Sequence, residues 1–190
     1  MRAVPPAWSD ASLARARSVR LLGLDVDGVM TDGGIVLTSG GDESKRFDVR
    51  DGLGLRLLLD AGVVVGIITG RSSGVVARRG AELGLAFVHQ GVTDKWSCLE
   101  AEIQARGIAV GACAYMGDDL PDLPLLLRVG LGAAPADAHW EVRRRVDWVS
   151  DRAGGRGAVR QLCEGILVAQ GRWEGVLRRL TGEGAGCAVR

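Results

Sequence analysis

Apolar residues along this chain gather in short runs that stop at polar, glycine-containing loops. Val19-Arg-Leu-Leu-Gly-Leu24 stops at Asp25-Val-Asp27-Gly28, residues 63–68 stop at Thr69-Gly70-Arg71, and residues 112–116 stop at Gly117-Asp118-Asp119. Runs of this length, bounded by turn formers, read as buried strands. Residues 129–134 and 146–149 are shorter candidates of the same kind. Helical patterns occupy 53–61, 73–83, 94–106 and 120–128, and another follows the turn Ala153-Gly154-Gly155 over 156–170. Strands alternating with helices predict an α/β fold, a parallel sheet flanked by helices on both faces.

One stretch breaks the alternation. Gly34-Ile-Val-Leu-Thr38, then Ser39-Gly40-Gly41, then residues 42–49 read as a β-hairpin inserted after the first strand. It is too small for a domain and is expected above the carboxyl edge of the sheet. The organisation expected is an N-terminal extension over 1–18, one domain over 19–170, and a glycine-rich, mobile tail over 171–190.

Composition narrows the class. A chain of 190 residues with 47% hydrophobic content can bury one proper core. Its 24 Lys+Arg against 23 Asp+Glu leave a net charge of +1, which provides no field for nucleic acid or an anionic membrane. The run Arg143-Arg-Arg145, near Trp140 and Trp148, reads as a solvated helix end. Cys98, Cys113, Cys163 and Cys187 are scattered, as expected of reduced thiols in a cytoplasmic protein. Residues 1–20 hold no apolar core of a signal peptide, and the longest apolar stretch, 61–69, is far short of the roughly 20 residues that span a bilayer. Only Lys45 and Lys95 are lysines, and only His89 and His139 are histidines. Chemistry that needs a histidine cluster is thereby excluded.

In an open α/β sheet, ligands bind beyond the carboxyl ends of the strands. Three predicted strand ends here carry Asp25/Asp27, Thr69 and Asp118/Asp119, and Lys95 opens the helix after the next strand. That set suits phosphoryl transfer through a carboxylate. Asp25 would attack phosphorus and form an aspartyl-phosphate. Asp27 would protonate the leaving oxygen and then deprotonate water. Asp25 and Asp118 would share a Mg²⁺, a hard cation suited to carboxylates and water. The Thr69 hydroxyl and Lys95 ammonium would hold the equatorial phosphoryl oxygens. Each residue alone has a plainer reading: a strand-end Asp caps a helix, Lys95 is solvated, Asp94 is an N-cap, and Asp122 sits in a first helical turn. The ordered set is what carries the inference.

With these residues in place, the chain resembles the haloacid dehalogenase superfamily of phosphatases. The likeness rests on Asp25-Val-Asp-Gly-Val-Met-Thr-Asp-Gly33, Phe47-Asp-Val-Arg-Asp-Gly-Leu-Gly54, Ile68-Thr-Gly-Arg71, Gln90-Gly-Val-Thr-Asp-Lys95 and Met116-Gly-Asp-Asp-Leu-Pro-Asp-Leu-Pro124. Ala134-Pro-Ala-Asp-Ala138 and Gly154-Gly-Arg-Gly-Ala-Val-Arg160 add to it, so that it covers 19–173. It implies a Rossmann-like domain without a separate cap, Mg²⁺ dependence, and a homotetramer assembled through the hairpin, with neighbouring subunits closing the site. It also implies that Asp25 is the nucleophile, Asp27 the acid/base with its main-chain carbonyl on the metal, and Asp118 the remaining metal ligand.

Within the superfamily, the narrower resemblance is to phosphatases of 2-keto-3-deoxy sugar acids in lipopolysaccharide biosynthesis. It implies an eight-carbon octulosonate 8-phosphate as substrate, with a nine-carbon nonulosonate 9-phosphate as the alternative. The implied substrate-binding set is Asp27, Asp48, Val49, Arg50, Asp51, Gly52, Arg56, Arg71, Arg79 and Lys95. Asp48 departs from the pattern, since some members carry Asn there. Guanidinium groups suit a substrate bearing both carboxylate and phosphate.

Two rivals use other residues. Gly70-Arg-Ser72-Ser-Gly74 fits a nucleophile elbow, with Asp118 or Asp122 and then His139 following in hydrolase order, but His139 begins a helical pattern and Ser72 reads as a helix cap. A receiver domain would need its phosphorylated Asp where this chain has Thr69.

Overall fold

The structure is a computed structural model and describes residues 8–182. Eight strands run in chain order: β1 (Leu21–Leu24), β2 (Val36–Leu37), β3 (Glu43–Ser44), β4 (Val64–Ile68), β5 (Phe87–His89), β6 (Cys113–Met116), β7 (Leu131–Ala134) and β8 (Trp148–Val149). The helices are α1 (Asp10–Ala16), α2 (Val49–Asp60), α3 (Gly74–Leu83), α4 (Lys95–Ala105), α5 (Leu123–Leu126), α6 (Trp140–Arg143), α7 (Ala158–Ala169) and α8 (Trp173–Thr181). Short 3₁₀ turns at Val110–Ala112 and Leu120–Asp122 precede β6 and α5.

Six strands form one sheet in the order β5-β4-β1-β6-β7-β8, all pairs parallel. Every residue of β1, β6 and β7 is buried, as strands covered on both faces require. One apolar cluster joins β1 and β4 to α2 and α7 through Leu24, Ile67, Leu58 and Leu162. A second, on the opposite face, joins Tyr115 of β6 to Leu99 of α4 and Leu125 of α5. The order places β1 between β4 and β6, so the three loops read as chemical in the sequence emerge side by side. That neighbourhood is the switch point where open α/β sheets bind ligands.

The hairpin is present but shorter than expected. β2 and β3 pair antiparallel over Val36–Ser44 and Leu37–Glu43 alone. Its second arm does not reach Val49, because the Asp48 carboxylate accepts the Arg50 amide at 2.7 Å and starts α2 there, four residues before the expected Leu53. Ser73, rather than Ser72, stands at the N-cap of α3. The pattern over 120–128 becomes a 3₁₀ turn and a single helical turn, since the chain enters β7 at Leu131. The tail differs too: α8 forms and buries Val176, while residues 183–190 and Cys187 lie outside the described residues. At the other end, α1 is closed by a Ser9/Ser12 capping box, and Trp8 stacks on Trp148 with ring centroids 4.8 Å apart. Among the described residues, no helix is long and apolar enough to cross a membrane.

Candidate active site

β1 ends at Leu24, and the Asp25 amide still donates to the Met116 carbonyl of β6 at 3.0 Å. The chain then turns sharply, with Gly28 at φ +82°. A Cβ at Gly28 would lie 2.1 Å from Asp118 Oδ2, so only glycine lets the loop pass beneath that carboxylate. From the far side Gly154 backs the same loop, where a Cβ would lie 1.8 Å from the Gly28 carbonyl oxygen. The loop is therefore clamped between two other segments of backbone.

The three strand ends surround a cavity of about 540 Å³ whose lining includes Asp25, Asp27, Thr69, Arg71, Lys95 and Asp118. Thr69 is buried at the end of β4, where its amide donates to the His89 carbonyl at 3.0 Å. Lys95, the first residue of α4, is buried, and its Nζ sits 2.9 Å from Asp25 Oδ2 and 2.7 Å from Asp122 Oδ1. Asp94 caps α4 by accepting the Ser97 amide at 3.1 Å, as the sequence suggested.

Asp122 is the residue that sequence reasoning placed too modestly. It is fully buried, and every oxygen is engaged: Oδ1 also accepts from the Tyr115 hydroxyl at 3.2 Å, and Oδ2 accepts the Asp118 amide at 3.1 Å. It thus fixes the loop carrying Asp118 and orients Lys95. The available signal was its spacing, four residues after Asp118 and one turn into the same segment. Lys45 was missed as well, having been given no role. Its Nζ lies 2.5 Å from Asp27 Oδ1.

The electrostatics are strained in a particular direction. Burial, then the Asp122 charge, raises the proton affinity of Asp25, although Lys95 opposes this. Burial and the charges of Asp122 and Asp25 push Asp118 up to about 8. Burial disfavours the Lys95 ammonium, but Asp122 and Asp25 outweigh it and raise Lys95. Among the described residues, three carboxyl groups thus face one ammonium, and full ionisation would leave two negative charges over, which is why Asp25 and Asp118 hold their protons more tightly. One oxygen from each of Asp25, Asp118 and Asp122 lies within 4.8 Å of the others, and among the described residues the buried Asp25 Oδ1 has no hydrogen-bond partner. A hard divalent cation fits this donor set. Since both Asp122 oxygens are already committed, Asp25 and Asp118 are the carboxylates free to hold it.

The other expected substrate residues are not brought to this cavity. Val49 and Arg50 are exposed at the start of α2, with Arg50 paired to Asp48 at 2.6 Å, and Arg56 is exposed on the same helix. Asp51 and Gly52 are buried. The Asp51 carboxylate accepts the Gly157 and Arg160 amides at 3.2 and 2.7 Å, which caps α7. Arg79 packs over the Phe47 ring and pairs with Glu82 at 2.9 Å. The elbow rival loses its base, since His139 Nδ1 accepts the Glu141 amide at 3.2 Å as the cap of α6.

No family model matches the chain. It is 46% identical over 160 residues to the 3-deoxy-D-manno-octulosonate 8-phosphate phosphatase KdsC of Escherichia coli K12, covering 84% of this chain and 85% of that one. Among solved structures, the phosphatase of the same name from Moraxella catarrhalis, in complex with magnesium, phosphate and KDO, superposes with a TM-score of 0.89. It is 39% identical, covering 91% of this chain and 99% of that one. A cobalt-bound deoxy-D-mannose-octulosonate 8-phosphate phosphatase from Haemophilus influenzae gives a TM-score of 0.81 at 37% identity, covering 84% and 93%. A carboxylate-lined switch point and these likenesses along most of the chain lead to one assignment: the protein is a phosphatase and belongs to the 3-deoxy-D-manno-octulosonate 8-phosphate phosphatase family of the haloacid dehalogenase superfamily.

Proposed function

We propose that the protein hydrolyses 3-deoxy-D-manno-octulosonate 8-phosphate through an aspartyl-phosphate on Asp25, with Mg²⁺ held by the Asp25 and Asp118 carboxylates and the Asp27 carbonyl. The observation that supports this most is the buried, unpartnered Asp25 Oδ1 beside Asp118. Mg²⁺ would supply positive charge against the phosphate and the developing negative oxygens.

Asp25 attacks phosphorus from the floor of the cavity, where Lys95 holds its Oδ2 and so fixes its direction. Asp27 protonates the departing sugar oxygen and later takes a proton from the water that cleaves the aspartyl-phosphate. Thr69 and Lys95 hold the phosphoryl oxygens at the strand ends. Arg71, which lines the cavity with its side chain half exposed, would bind the substrate's carboxylate.

The exposed arginines of α2, Arg50 and Arg56, act between subunits in this reading. Ile35, Val36 and Leu37 present an exposed apolar edge on the hairpin, which suits a homotetramer. In such an assembly the exposed start of α2, with Val49, Arg50 and Arg56, closes a neighbour's cavity. A phosphate-release screen with Mg²⁺ tests the substrate. The octulosonate 8-phosphate is expected to give the highest kcat/KM, and preference for a nonulosonate 9-phosphate would reassign the substrate while leaving the chemistry in place.

A further inference from the structure

We propose that Lys45 is a positioning residue of the catalytic apparatus, delivered by the hairpin to fix which Asp27 oxygen faces the substrate. This rests on the reading of Asp27 as the acid/base. The hairpin is otherwise open, with Val36 58% and Leu37 67% exposed, yet the Lys45 side chain is 0% exposed. A lysine with no task leaves its ammonium in water, because burial is tolerated only against a compensating partner.

Among the described residues, Lys45 has two partners. Nζ lies 2.5 Å from Asp27 Oδ1 and 3.5 Å from Glu43 Oε1. Arg71 completes the arrangement, with Nη2 3.2 Å from Glu43 Oε1 and Nε 3.6 Å from Asp27 Oδ2. Two cations and two carboxylates alternate in a neutral ring that joins the hairpin to the ends of β1 and β4. Asp27 Oδ1 is taken by Lys45, which leaves Oδ2 on the Arg71 side, where Arg71 lines the cavity. The chain's two lysines therefore divide the Asp-x-Asp pair: Lys95 holds Asp25, and Lys45 holds Asp27.

The reaction needs that constraint twice. As an Asp25 oxygen bonds to phosphorus, the ester P–O bond breaks and its electron pair stays on the sugar oxygen, which takes the proton from Asp27. Water then gives a proton to the Asp27 carboxylate while its oxygen bonds to phosphorus, and the Asp25–phosphorus bond breaks with its electron pair returning to Asp25. An Asp27 free to rotate slows both transfers. A leaving group that is stable as an anion needs no proton in the first transfer.

The test compares wild type and Lys45→Met, both saturated with Mg²⁺, in their first turnover of octulosonate 8-phosphate and of p-nitrophenyl phosphate. Sugar release is expected to slow about tenfold or more with KM nearly unchanged, while first-turnover p-nitrophenolate release changes by less than about twofold. Propylammonium is expected to restore part of the sugar release in Lys45→Ala, because truncation empties a buried site. Lys45→Gln keeps a donor for Asp27 and should show the same contrast at smaller size if Lys45→Met does not fold. Equal loss on both substrates without rescue by the amine, or no loss on either, overturns the inference. Failure of wild type itself to hydrolyse either ester would instead overturn the proposed function.

Discussion

Two parts of the molecule bury carboxylates and answer the cost in opposite ways. Between α2 and α7, Asp51 is only 2% exposed, and both of its oxygens accept backbone amides of the α7 N-terminus. Burial still raises it to about 6, but no polar atom is left over. At the end of β1, Asp25, Asp118 and Asp122 share a single ammonium among the described residues, Asp118 is raised to about 8, and Asp25 Oδ1 finds no donor among those residues. The difference lies in what remains unpaired. A satisfied buried acid holds helices together, whereas a cluster with charge left over is prepared for a ligand that brings the opposite charge.

Asp25→Asn should separate the two regions most sharply. Turnover of any phosphate ester is expected to fall by ~10⁴-fold or more, because a carboxamide does not form the acyl phosphate. Circular dichroism should show the fold retained, and activity near wild type would remove Asp25 from the chemistry.

Asp118→Asn acts on the same cluster through its charge. Activity with Mg²⁺ is expected to fall ~10²-fold or more, while the metal-free protein should be at least as stable as wild type above about pH 4, since a buried acid whose ionisation the cluster opposes is gone. For wild type, a cation at about 100 times its Kd should add about 2.7 kcal/mol of stability. That gain should vanish in the variant, and thermal melts with and without Mg²⁺ would show it.

The pH dependence of stability distinguishes the two regions by window. Asp51 binds its proton more tightly folded than unfolded, so its contribution is largest at low pH and is lost as pH rises from about 4 to about 6. A shift of about two pH units corresponds to about 3 kcal/mol. For Asp118 in the metal-free protein the same loss extends to about 8. Denaturant titrations at several pH values should show Asp51→Asn flattening the curve only up to about 6 and Asp118→Asn flattening it up to about 8. Overlapping curves would mean that the two sites do not differ as described. At any one pH, Asp51→Ala should cost a further ~1–2 kcal/mol through the lost cap.

The comparison also shows where sequence reading reached and where it stopped. The ends of β1, β4 and β6 were legible because an apolar run followed by Asp or Thr is a local signal, and parallel packing brings those ends together. Asp51 was read toward the substrate because its partners, Gly157 and Arg160, lie more than a hundred residues away. Its capping role exists only once α2 and α7 pack. Asp122 looked like an ordinary first-turn residue, since its engagement by Lys95 and Tyr115 depends on α4 and β6 meeting. Lys45 carried no signal either. A hairpin with two-residue strands has no periodicity that says which way it folds over the sheet. The helix at Trp173–Thr181 was hidden by the glycines on both sides of it.

The central claim is that the unanswered carboxylate at the end of β1 becomes covalently phosphorylated. Rapid acid quench of the Mg²⁺-loaded protein during turnover, followed by peptide mass spectrometry, tests it directly. A phosphoryl group on the peptide containing Asp25, absent in Asp25→Asn, is the predicted result. Phosphoryl on Ser72 or Asp118, with Asp25→Asn still turning over, would contradict it.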